Sequence, residues 1–309
     1  MLNHPPPLSP GDPIAIVAPA SPPRDQTTYE EGVSRLRETY DVRIRWHPGD
    51  ERGYLAAPDA DRTAALHSAI RADDISAIFC VRGGYGGLRL LPHLDWALAR
   101  RHPTLLVGYS DITALHLAFY AHARWPGLSG PVVTEWEEAD AATLNAFQAQ
   151  SSGEATDLTA NFDDVLQPMV AGTATGPLLG GNLSVLSRLI GTQYLPTFKG
   201  AILVLEDVAE PPYRVDRMLA HLQHAGILDA VAGVVLGHFS TGDLDPDPPT
   251  LALETIFDDY LGARSYPVVK GLPYGHLLPR CTLPIGLPLR IEASSDHASL
   301  NMLSGIGAG

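Results

Sequence analysis

The chain has 309 residues, of which 45% are hydrophobic and 18% are charged, as is ordinary for a globular protein with a sizeable core. Its 21 Lys and Arg residues against 35 Asp and Glu residues give a formal net charge of −14. This acidity argues against sequence-independent nucleic-acid binding, which requires a basic surface. The sequence contains no run of 18 or more apolar residues, so it also predicts no membrane span.

The N-terminus and the cysteines indicate the compartment. Residues 1–7 have neither the basic nor the apolar region of a signal peptide. Cys80 and Cys281 lie far apart, and neither belongs to a Cys-x-x-Cys pair. We therefore expect no disulfide framework, no structural zinc site and a cytoplasmic location.

The first 150 residues alternate between strand-like and helix-like segments. Short apolar or alternating runs predict strands over 14–18, 42–46, 75–81 and 104–107. Apolar residues at helical spacing predict helices over 29–39, 59–72 and 112–123. This alternation is typical of a mostly parallel sheet with helices on both faces, in which ligands bind at the carboxyl ends of the strands.

The periodicity weakens between 150 and 176, where Ser, Thr, Gly, Asn and Pro accumulate. We therefore predict an N-terminal α/β domain over 1–150, a linker over 151–174 and a C-terminal mixed α/β domain over 175–309. In the last of these, a Gly-Gly-Asn loop and a helix are predicted within 180–190. Further strands are predicted over 201–205 and 231–236, and further helices over 214–224 and 250–261.

The most informative segment is the turn after the fourth predicted strand, Gly108-Tyr109-Ser110-Asp111. A small hydroxyl at a strand-to-helix turn is typical of a nucleophile elbow, which exposes a serine at the sheet edge. The pattern departs from Gly-x-Ser-x-Gly, because Ile112 stands in place of the second glycine. Two hypotheses follow: Ser110 is a nucleophile, or Ser110 or Asp111 simply caps the next helix.

A glycine-rich loop, Arg-Gly-Gly-Tyr-Gly-Gly over 82–87, follows the third predicted strand. It lacks the Gly-Lys-Ser/Thr of a P-loop and the pattern of a dinucleotide site, so we expect neither there. Glycines permit a tight turn, and they also leave backbone N–H groups free to stabilise a developing oxyanion. The sequence leaves both uses open.

Candidate partners for Ser110 lie in the second half of the chain. The strand over 201–205 ends at Glu206-Asp207, whose side chains point to opposite faces, so one of them at most reaches a given site. A carboxylate there either orients a histidine or is a solvated strand end. Among 12 histidines, His276 lies in a Gly- and Pro-rich segment typical of a fixed loop, and His238 competes with it as a base.

Five segments together resemble the LD-carboxypeptidase family, which includes muramoyltetrapeptide carboxypeptidases and microcin-immunity peptidases. The segments occur in the family's order and span almost the whole chain. They are Gly-Asp-Pro-Ile to Pro-Ala-Ser over 11–21, Arg-Gly-Gly-Tyr-Gly over 82–86, Gly-Tyr-Ser-Asp over 108–111, Leu-Glu-Asp with Pro-Tyr-Arg-Val-Asp-Arg-Met-Leu over 205–219, and Gly-His with Thr-Leu-Pro-Ile-Gly over 275–286.

The resemblance implies a serine peptidase that uses a Ser-His-Glu triad and neither a metal nor a cofactor. Ser110 is then the nucleophile, His276 the general base and acid, and Glu206 the residue that orients His276. The amides of Gly84 and Asp111 are implied to form the oxyanion hole. The resemblance also implies an active site in the cleft between the two domains, and a homodimer.

The reaction implied is release of the terminal D-Ala from murein tetrapeptides in peptidoglycan recycling, through an acyl-enzyme. The free carboxylate of such a peptide needs a cation or backbone donors. We therefore expect Arg82, Tyr85 and Arg214 to bind substrate, although an arginine equally often forms a structural ion pair. Leu-Leu-Pro follows His276, where the family often has Glu-Gln, so the loop beside the substrate is more apolar.

Three alternatives stay open. The first is a microcin-immunity-type peptidase that cleaves aminoacyl-nucleotide conjugates, although Pro-Tyr-Arg over 212–214 favours the peptidoglycan branch. The second is a non-catalytic ligand-binding relative, against which the presence of all three triad residues argues. The third is an esterase of the α/β-hydrolase type, which requires a glycine near Ile112 and one sheet that carries all three groups.

Overall fold

A computed structural model describes residues 1–154, 157–162, 166–242 and 250–308. The strands are β1 (Pro13–Val17), β2 (Asp41–Ile44), β3 (Ala77–Cys80), β4 (Leu105–Val107), β5 (Gly127–Ser129), β6 (Gln167–Val170), β7 (Gly172–Asn182), β8 (Ile202–Asp207), β9 (Gly233–Phe239), β10 (Val268–Lys270), β11 (Leu283–Ile285), β12 (Pro288–Ala293) and β13 (Ala298–Met302). The α-helices are α1 (Gln26–Arg37), α2 (Asp59–Arg71), α3 (Gly87–Leu90), α4 (Trp96–Arg101), α5 (Thr113–Ala123), α6 (Ala141–Ser152), α7 (Leu183–Leu189), α8 (Pro212–His224), α9 (Ile227–Ala230) and α10 (Leu253–Leu261). Short 3-10 turns cover Leu91–His93, Ser110–Ile112 and Val133–Glu135.

The first sheet has the strand order β11-β5-β4-β3-β1-β2. Strands β1 to β5 run parallel to one another, and β11 is antiparallel to β5. The mostly parallel sheet predicted for the first half is therefore confirmed. All four residues of β3 are buried, which explains why this strand is an unbroken apolar run in the sequence.

Strand β11 comes from the second half of the chain, yet it completes the first sheet. Leu283 pairs with Ser129, and Ile285 pairs with Gly127. The segment that leads into β11 must therefore return to the edge of the first sheet. That segment carries His276, so the pairing brings a residue of the second half close to the turn at Ser110.

The second sheet has the order β13-β12-β7-β8-β9-β10-β6. Strands β7 to β10 are parallel, whereas β12 is antiparallel to both β7 and β13, and β6 is antiparallel to β10. The mixed α/β architecture predicted for the C-terminal half is thus confirmed. The other predicted helices and strands are also present, with ends that differ by a few residues.

Strand β7 corrects one prediction: its 11 residues lie where the sequence predicts the end of a linker and a Gly-Gly-Asn loop. Four glycines and Pro177 lower its strand propensity, so its sequence does not look like a strand. Packing explains the glycines: a Cβ on Gly180 would lie 2.0 Å from the carbonyl oxygen of Val204 on β8. Residues 155, 156 and 163–165 of the predicted linker lie outside the described part.

Helix α5 connects the two halves. It packs against α4 and β5 of the first half and against α7 and β7 of the second. Every residue of this helix except Ala121 and His122 is buried, as expected for a helix that is apolar all round. Burial lowers the pKa of His116 to about 4, and its ring binds the Gly108 carbonyl oxygen at 2.8 Å. The turn at Ser110 is therefore anchored on a helix that is buried along most of its length.

Candidate active site

Ser110 follows β4 in a strained backbone conformation. Its φ is +64°, in the left-handed region that a residue with a side chain rarely adopts. Strain of this kind costs on the order of 1–3 kcal/mol and is found where the surrounding structure enforces it. No side-chain hydrogen bond caps the turn at Ser110 or helix α5. The capping hypothesis is therefore wrong for both Ser110 and Asp111.

The Ser110 side chain instead begins a chain of hydrogen bonds across the two halves. Ser110 Oγ lies 3.0 Å from His276 Nε2, and His276 Nδ1 lies 2.9 Å from Glu206 Oε2. The carboxylate accepts only, so Nδ1 carries the ring proton and Nε2 is left to accept the Ser110 hydroxyl proton. His238, the competing base, is exposed on β9. The structure thus brings together Ser110, His276 and Glu206.

Glu206 is held by its position at the end of β8. Its side chain is fully buried, which rules out the solvated strand end, and it pairs in register with Asn182 of β7. Asn182 Nδ2 donates to Glu206 Oε1 and to Asp207 Oδ1, each at 3.0 Å. The two carboxylates therefore converge on one amide and do not separate to opposite faces as predicted, where the strand register shifts between Leu205 and Asp207. Asp207 Oδ2 also accepts from the Ser184 amide at 2.8 Å. Burial, with a smaller contribution from the charge of Glu206, raises the pKa of Asp207 to about 6.

The glycine-rich loop packs directly on the turn at Ser110. A Cβ on Gly83 would lie 2.8 Å from Ser110 Cβ and 3.2 Å from the Asp111 nitrogen, so glycine is required for this approach. Gly84 has a φ of +102°. Within the described residues, the amides of Gly84 and Asp111 donate no hydrogen bond to the chain. Both donors therefore remain available beside Ser110.

The Asp111 side chain fastens this loop to the turn. Asp111 Oδ2 accepts from the Gly87 amide at 2.7 Å. Burial raises the pKa of Asp111 to about 6, while the Gly87 hydrogen bond and the charge of Arg62 oppose that rise. The buried Arg62 donates to the carbonyl oxygens of Pro19 and Gly86, so it holds the loop from its other side. The loop is thus more than a tight turn.

Three further residues surround the site, and the sequence reasoning missed them: Tyr109, Glu135 and Arg280. The Tyr109 hydroxyl donates to Glu135 Oε1 at 2.5 Å, and Arg280 Nη2 donates to Glu135 Oε2 at 2.6 Å. The Tyr109 ring lies beside that of His276, with 4.9 Å between their centroids. Tyr109 stands next to Ser110 in the chain, but Glu135 and Arg280 carry no sequence signal that links them to it.

Ser110 and His276 open into a cavity of about 500 Å³. Arg82 lines this cavity, and its guanidinium donates to the Pro22 carbonyl oxygen at a long 3.3 Å. Tyr85 is 70% exposed and packs edge-on against Tyr54, outside the cavity lining. Arg214 also lies away from this lining, and it pairs with Glu210 at 3.5 Å. Of the three predicted substrate-binding residues, the structure places Arg82 in the cavity.

The described residues form neither a metal site nor a membrane-spanning helix. No group of three or more His, Cys, Asp or Glu side chains there has the arrangement needed to hold a metal ion. No helix in the described ranges is long and apolar enough to cross a membrane. The wall of the cavity presents a serine hydroxyl that is hydrogen-bonded to an imidazole, and the imidazole is hydrogen-bonded in turn to a buried carboxylate. This arrangement is found in serine hydrolases.

Known proteins with similar sequences and structures identify the family. The LD-carboxypeptidase N-terminal domain matches residues 14–130, and the LD-carboxypeptidase C-terminal domain matches residues 175–291. A probable murein peptide carboxypeptidase from Bacillus subtilis is 33% identical, over 96% of this chain and 94% of its own. A murein tetrapeptide carboxypeptidase from Pseudomonas aeruginosa is 34% identical, over 91% and 93%.

The fold has a solved counterpart. The crystal structure of an MccF-like protein from Bacillus anthracis superposes with a TM-score of 0.86 at 27% identity, over 98% of this chain and 99% of the other. The chain therefore belongs to the LD-carboxypeptidase family and is a serine-type carboxypeptidase. The family resemblance drawn from the five sequence segments is confirmed.

Proposed function

We propose that this chain releases the terminal D-alanine from murein tetrapeptides by acylating Ser110. The observation that carries the proposal is the hydrogen-bond chain from Ser110 through His276 to the buried Glu206, at the wall of a cavity. The names of the two relatives describe murein peptides as their substrates, and the identity extends over nearly the full chains. That similarity supports the same substrate class here.

The first half-reaction acylates the serine. Ser110 Oγ attacks the carbonyl carbon of the L,D peptide bond, while its proton passes to His276 Nε2. Glu206 holds His276 in the required tautomer and stabilises the imidazolium that forms. The tetrahedral intermediate then collapses: the C–N bond breaks, and His276 returns the proton to the nitrogen of the leaving D-alanine.

The negative charge that develops on the carbonyl oxygen needs donors that are already in place. The amides of Gly84 and Asp111 supply them in our proposal. The close approach of Gly83 to Ser110 and to the Asp111 nitrogen supports this assignment, because it sets the loop against the reacting oxygen. In the second half-reaction, water attacks the acyl carbon while its proton passes to His276. The ester bond to Ser110 Oγ then breaks, His276 returns the proton to Ser110 Oγ, and the tripeptide leaves with a free carboxyl group.

A carboxypeptidase must also bind a free carboxylate. Arg82 suits this role best, since it lines the cavity and its guanidinium makes one long hydrogen bond to a backbone oxygen. Charge-assisted, bidentate pairing with a carboxylate is the interaction that arginine favours. Tyr85 and Arg214 remain proposed contacts, and both need a substrate that extends beyond the cavity or a movement of the loops that carry them.

A second candidate reaction is cleavage of aminoacyl-nucleotide conjugates. This chain shares its fold, with a TM-score of 0.86 at 22% identity, with the microcin C7 self-immunity protein MccF, which has been solved in complex with aspartyl sulfamoyl adenosine. That likeness favours the second reaction, as does the apolar Leu-Leu-Pro segment after His276, where Leu278 is 43% exposed. The catalytic steps would be the same, and the two candidates differ only in the group that the cavity and its rim accept.

We further propose a cytoplasmic homodimer. Two buried, unpaired cysteines, Cys80 and Cys281, suit a reducing compartment. The family resemblance supports the dimer, for which light scattering should give a mass of twice the 33.1 kDa chain. A mass equal to that of one chain would contradict the dimer and leave the chemistry untouched.

The substrate is tested with L-Ala-D-Glu-DAP-D-Ala, its analogue that ends in L-Ala, and the Ser110→Ala variant as the control. Mass spectrometry should show release of alanine from the first peptide only, and by the unaltered enzyme only. Release by Ser110→Ala would contradict the proposed triad. If the tetrapeptide stays intact, aminoacyl-nucleotide conjugates are the next substrates, and their cleavage would establish the second candidate reaction.

A further inference from the structure

A buried cation, Arg280, lies at the seam between the two halves of the molecule. Its side chain is only 2% exposed, and it comes from the second half of the chain. Its ion-pair partner, Glu135, belongs to the first half, with 2.6 Å between Arg280 Nη2 and Glu135 Oε2. Burying a guanidinium is costly unless its hydrogen bonds are well satisfied, so the contacts that it makes are informative.

One set of contacts fixes the loop that carries His276. Arg280 Nη1 donates to the carbonyl oxygen of Gly275 at 3.0 Å. Gly275 immediately precedes His276, has a φ of +124°, and is so close to Glu206 that a Cβ would lie 2.7 Å from Glu206 Oε2. The Arg280 backbone amide also donates to Thr143 Oγ1 at 2.9 Å, which ties this loop to α6. Arg280 therefore holds the peptide bond that leads into His276, and Arg280 is itself anchored on the first half.

A second set of contacts fixes the turn that carries Ser110. The Arg280 guanidinium carbon lies 4.1 Å from the centroid of the Tyr109 ring, a cation–π contact. The hydroxyl of Tyr109 is held by the same Glu135 carboxylate, at 2.5 Å. Tyr109 immediately precedes Ser110. Arg280 thus touches the chain neighbour of the nucleophile and the chain neighbour of the base at once.

We infer that Arg280 is a positioning residue, which sets the 3.0 Å contact between Ser110 Oγ and His276 Nε2 by bridging Glu135, Tyr109 and Gly275. The inference rests on the proposed role of Ser110 as nucleophile. Misplacement of reacting groups by about 1 Å can reduce a rate on the order of 100-fold. Arg280 does not itself line the described cavity, so its loss should affect kcat and leave KM nearly unchanged.

The test compares Arg280→Met, Arg280→Lys and Glu135→Gln. A fluorophosphonate that labels activated serines gives a rate that depends on the Ser110–His276 contact and on no peptide substrate. We expect Arg280→Met to slow labelling about 100-fold per folded site. Arg280→Lys should recover part of the rate, because it keeps the charge but replaces the planar fork of two donor nitrogens with a single nitrogen. Glu135→Gln, which keeps the size of the side chain, should slow labelling about 10-fold.

Arg264→Met is the matched control. Arg264 pairs with Asp229 at 2.6 Å and lies over the Tyr266 ring, but all three are remote from the cavity. This variant should lose stability and keep the labelling rate. If Arg280→Lys and Glu135→Gln label at the unaltered rate, or if they lose only folded sites while each remaining site reacts normally, Arg280 is purely structural and the inference is overturned.

The failures of the two proposals are distinguishable. An unaltered enzyme that takes no label on Ser110 would overturn the nucleophile and the inference with it. An enzyme that labels on Ser110 but cleaves no murein peptide would overturn the proposed substrate alone. In that case the labelling rates of the Arg280 and Glu135 variants still decide the positioning role.

Discussion

The two sides of the active site are built by different means. On the nucleophile side, backbone shape places the reacting group, and the Asp111 and Tyr109 side chains brace it: Ser110 has a strained φ of +64°, and Gly83 lets the neighbouring loop approach it. On the acid–base side, side-chain hydrogen bonds fix the positions of the reacting groups. Asn182 holds Glu206, Glu206 holds His276, and the loop of His276 is fixed by Arg280.

This difference predicts two kinds of sensitivity. The nucleophile side should respond to added volume, because a single methyl group has no room beside Ser110. The acid–base side should respond to a changed donor or acceptor at constant volume, because its groups are buried and each depends on its partner. Substitutions of each kind therefore test the comparison directly.

The largest effect is expected on the acid–base side, from Glu206→Gln. The amide keeps the shape but no longer fixes the His276 tautomer or stabilises the imidazolium, so kcat should fall by about 10³ to 10⁴. Asp207→Asn is the matched control, because the Asp207 carboxylate bonds to Asn182 and to backbone amides and not to His276, so this variant should change kcat only a few-fold. Rates of peptide cleavage measure both, and equal losses in the two variants would contradict the assignment of Glu206.

On the nucleophile side, Gly83→Ala should lower kcat on the order of 100-fold. The new Cβ would meet Ser110 Cβ at 2.8 Å, so the loop and its amides must shift. Gly191→Ala serves as the control for a general loss of stability: alanine is strained at its φ of +85°, but its Cβ would meet nothing within 4 Å and it lies outside the cavity lining, so kcat should stay unchanged. Phosphonate labelling and peptide cleavage should slow together in Gly83→Ala. Normal rates in that variant would show that the close approach has no catalytic use.

A smaller effect concerns stability on the acid–base side. The pKa of Asp207 is raised to about 6, so the folded state binds its proton more tightly than the unfolded chain does. Asp207 therefore contributes stability below pH 4 that is lost as the pH rises through 6. Asp207→Asn removes this titration.

The free energy of unfolding, from urea titrations at pH 4 and pH 7, measures this loss. The unaltered protein should lose up to about 3 kcal/mol relative to the Asp207→Asn variant between these pH values. A difference between the two proteins that is the same at both pH values would show that Asp207 does not titrate in this range.

The sequence predicts the two sides of the site to different extents. The turn at Ser110 and the glycine-rich loop are short contiguous patterns, because backbone shape is encoded locally by glycine and small residues. The sequence also yields Glu206 and His276 as candidates, but only the family resemblance connects them to Ser110. The meeting of residues so far apart in the chain depends on β11 returning to the first sheet, which no local pattern shows.

The features that the sequence does not predict also depend on contacts between residues far apart in the chain. Strand β7 looks like a loop in the sequence, but its glycines are required by close packing and not by a turn: Gly180 lies against β8, and Gly181 lies against Thr113 of α5. Glu135 and Arg280 pair across the seam between the halves and lie 145 residues apart in the chain, so no local pattern connects them. Arg214 lies in a segment that resembles the family, yet in the structure it pairs with Glu210 on the surface. The sequence does not reveal that Glu210 competes with a substrate carboxylate for this guanidinium.

The central claim is that Ser110 is the nucleophile and that His276, from the other half, activates it. Peptide mapping by mass spectrometry after fluorophosphonate treatment tests this directly and needs no knowledge of the substrate. We expect one adduct per chain, on Ser110, with a much slower reaction in His276→Ala and none in Ser110→Ala. An adduct on another residue, or undiminished labelling of His276→Ala, would contradict it.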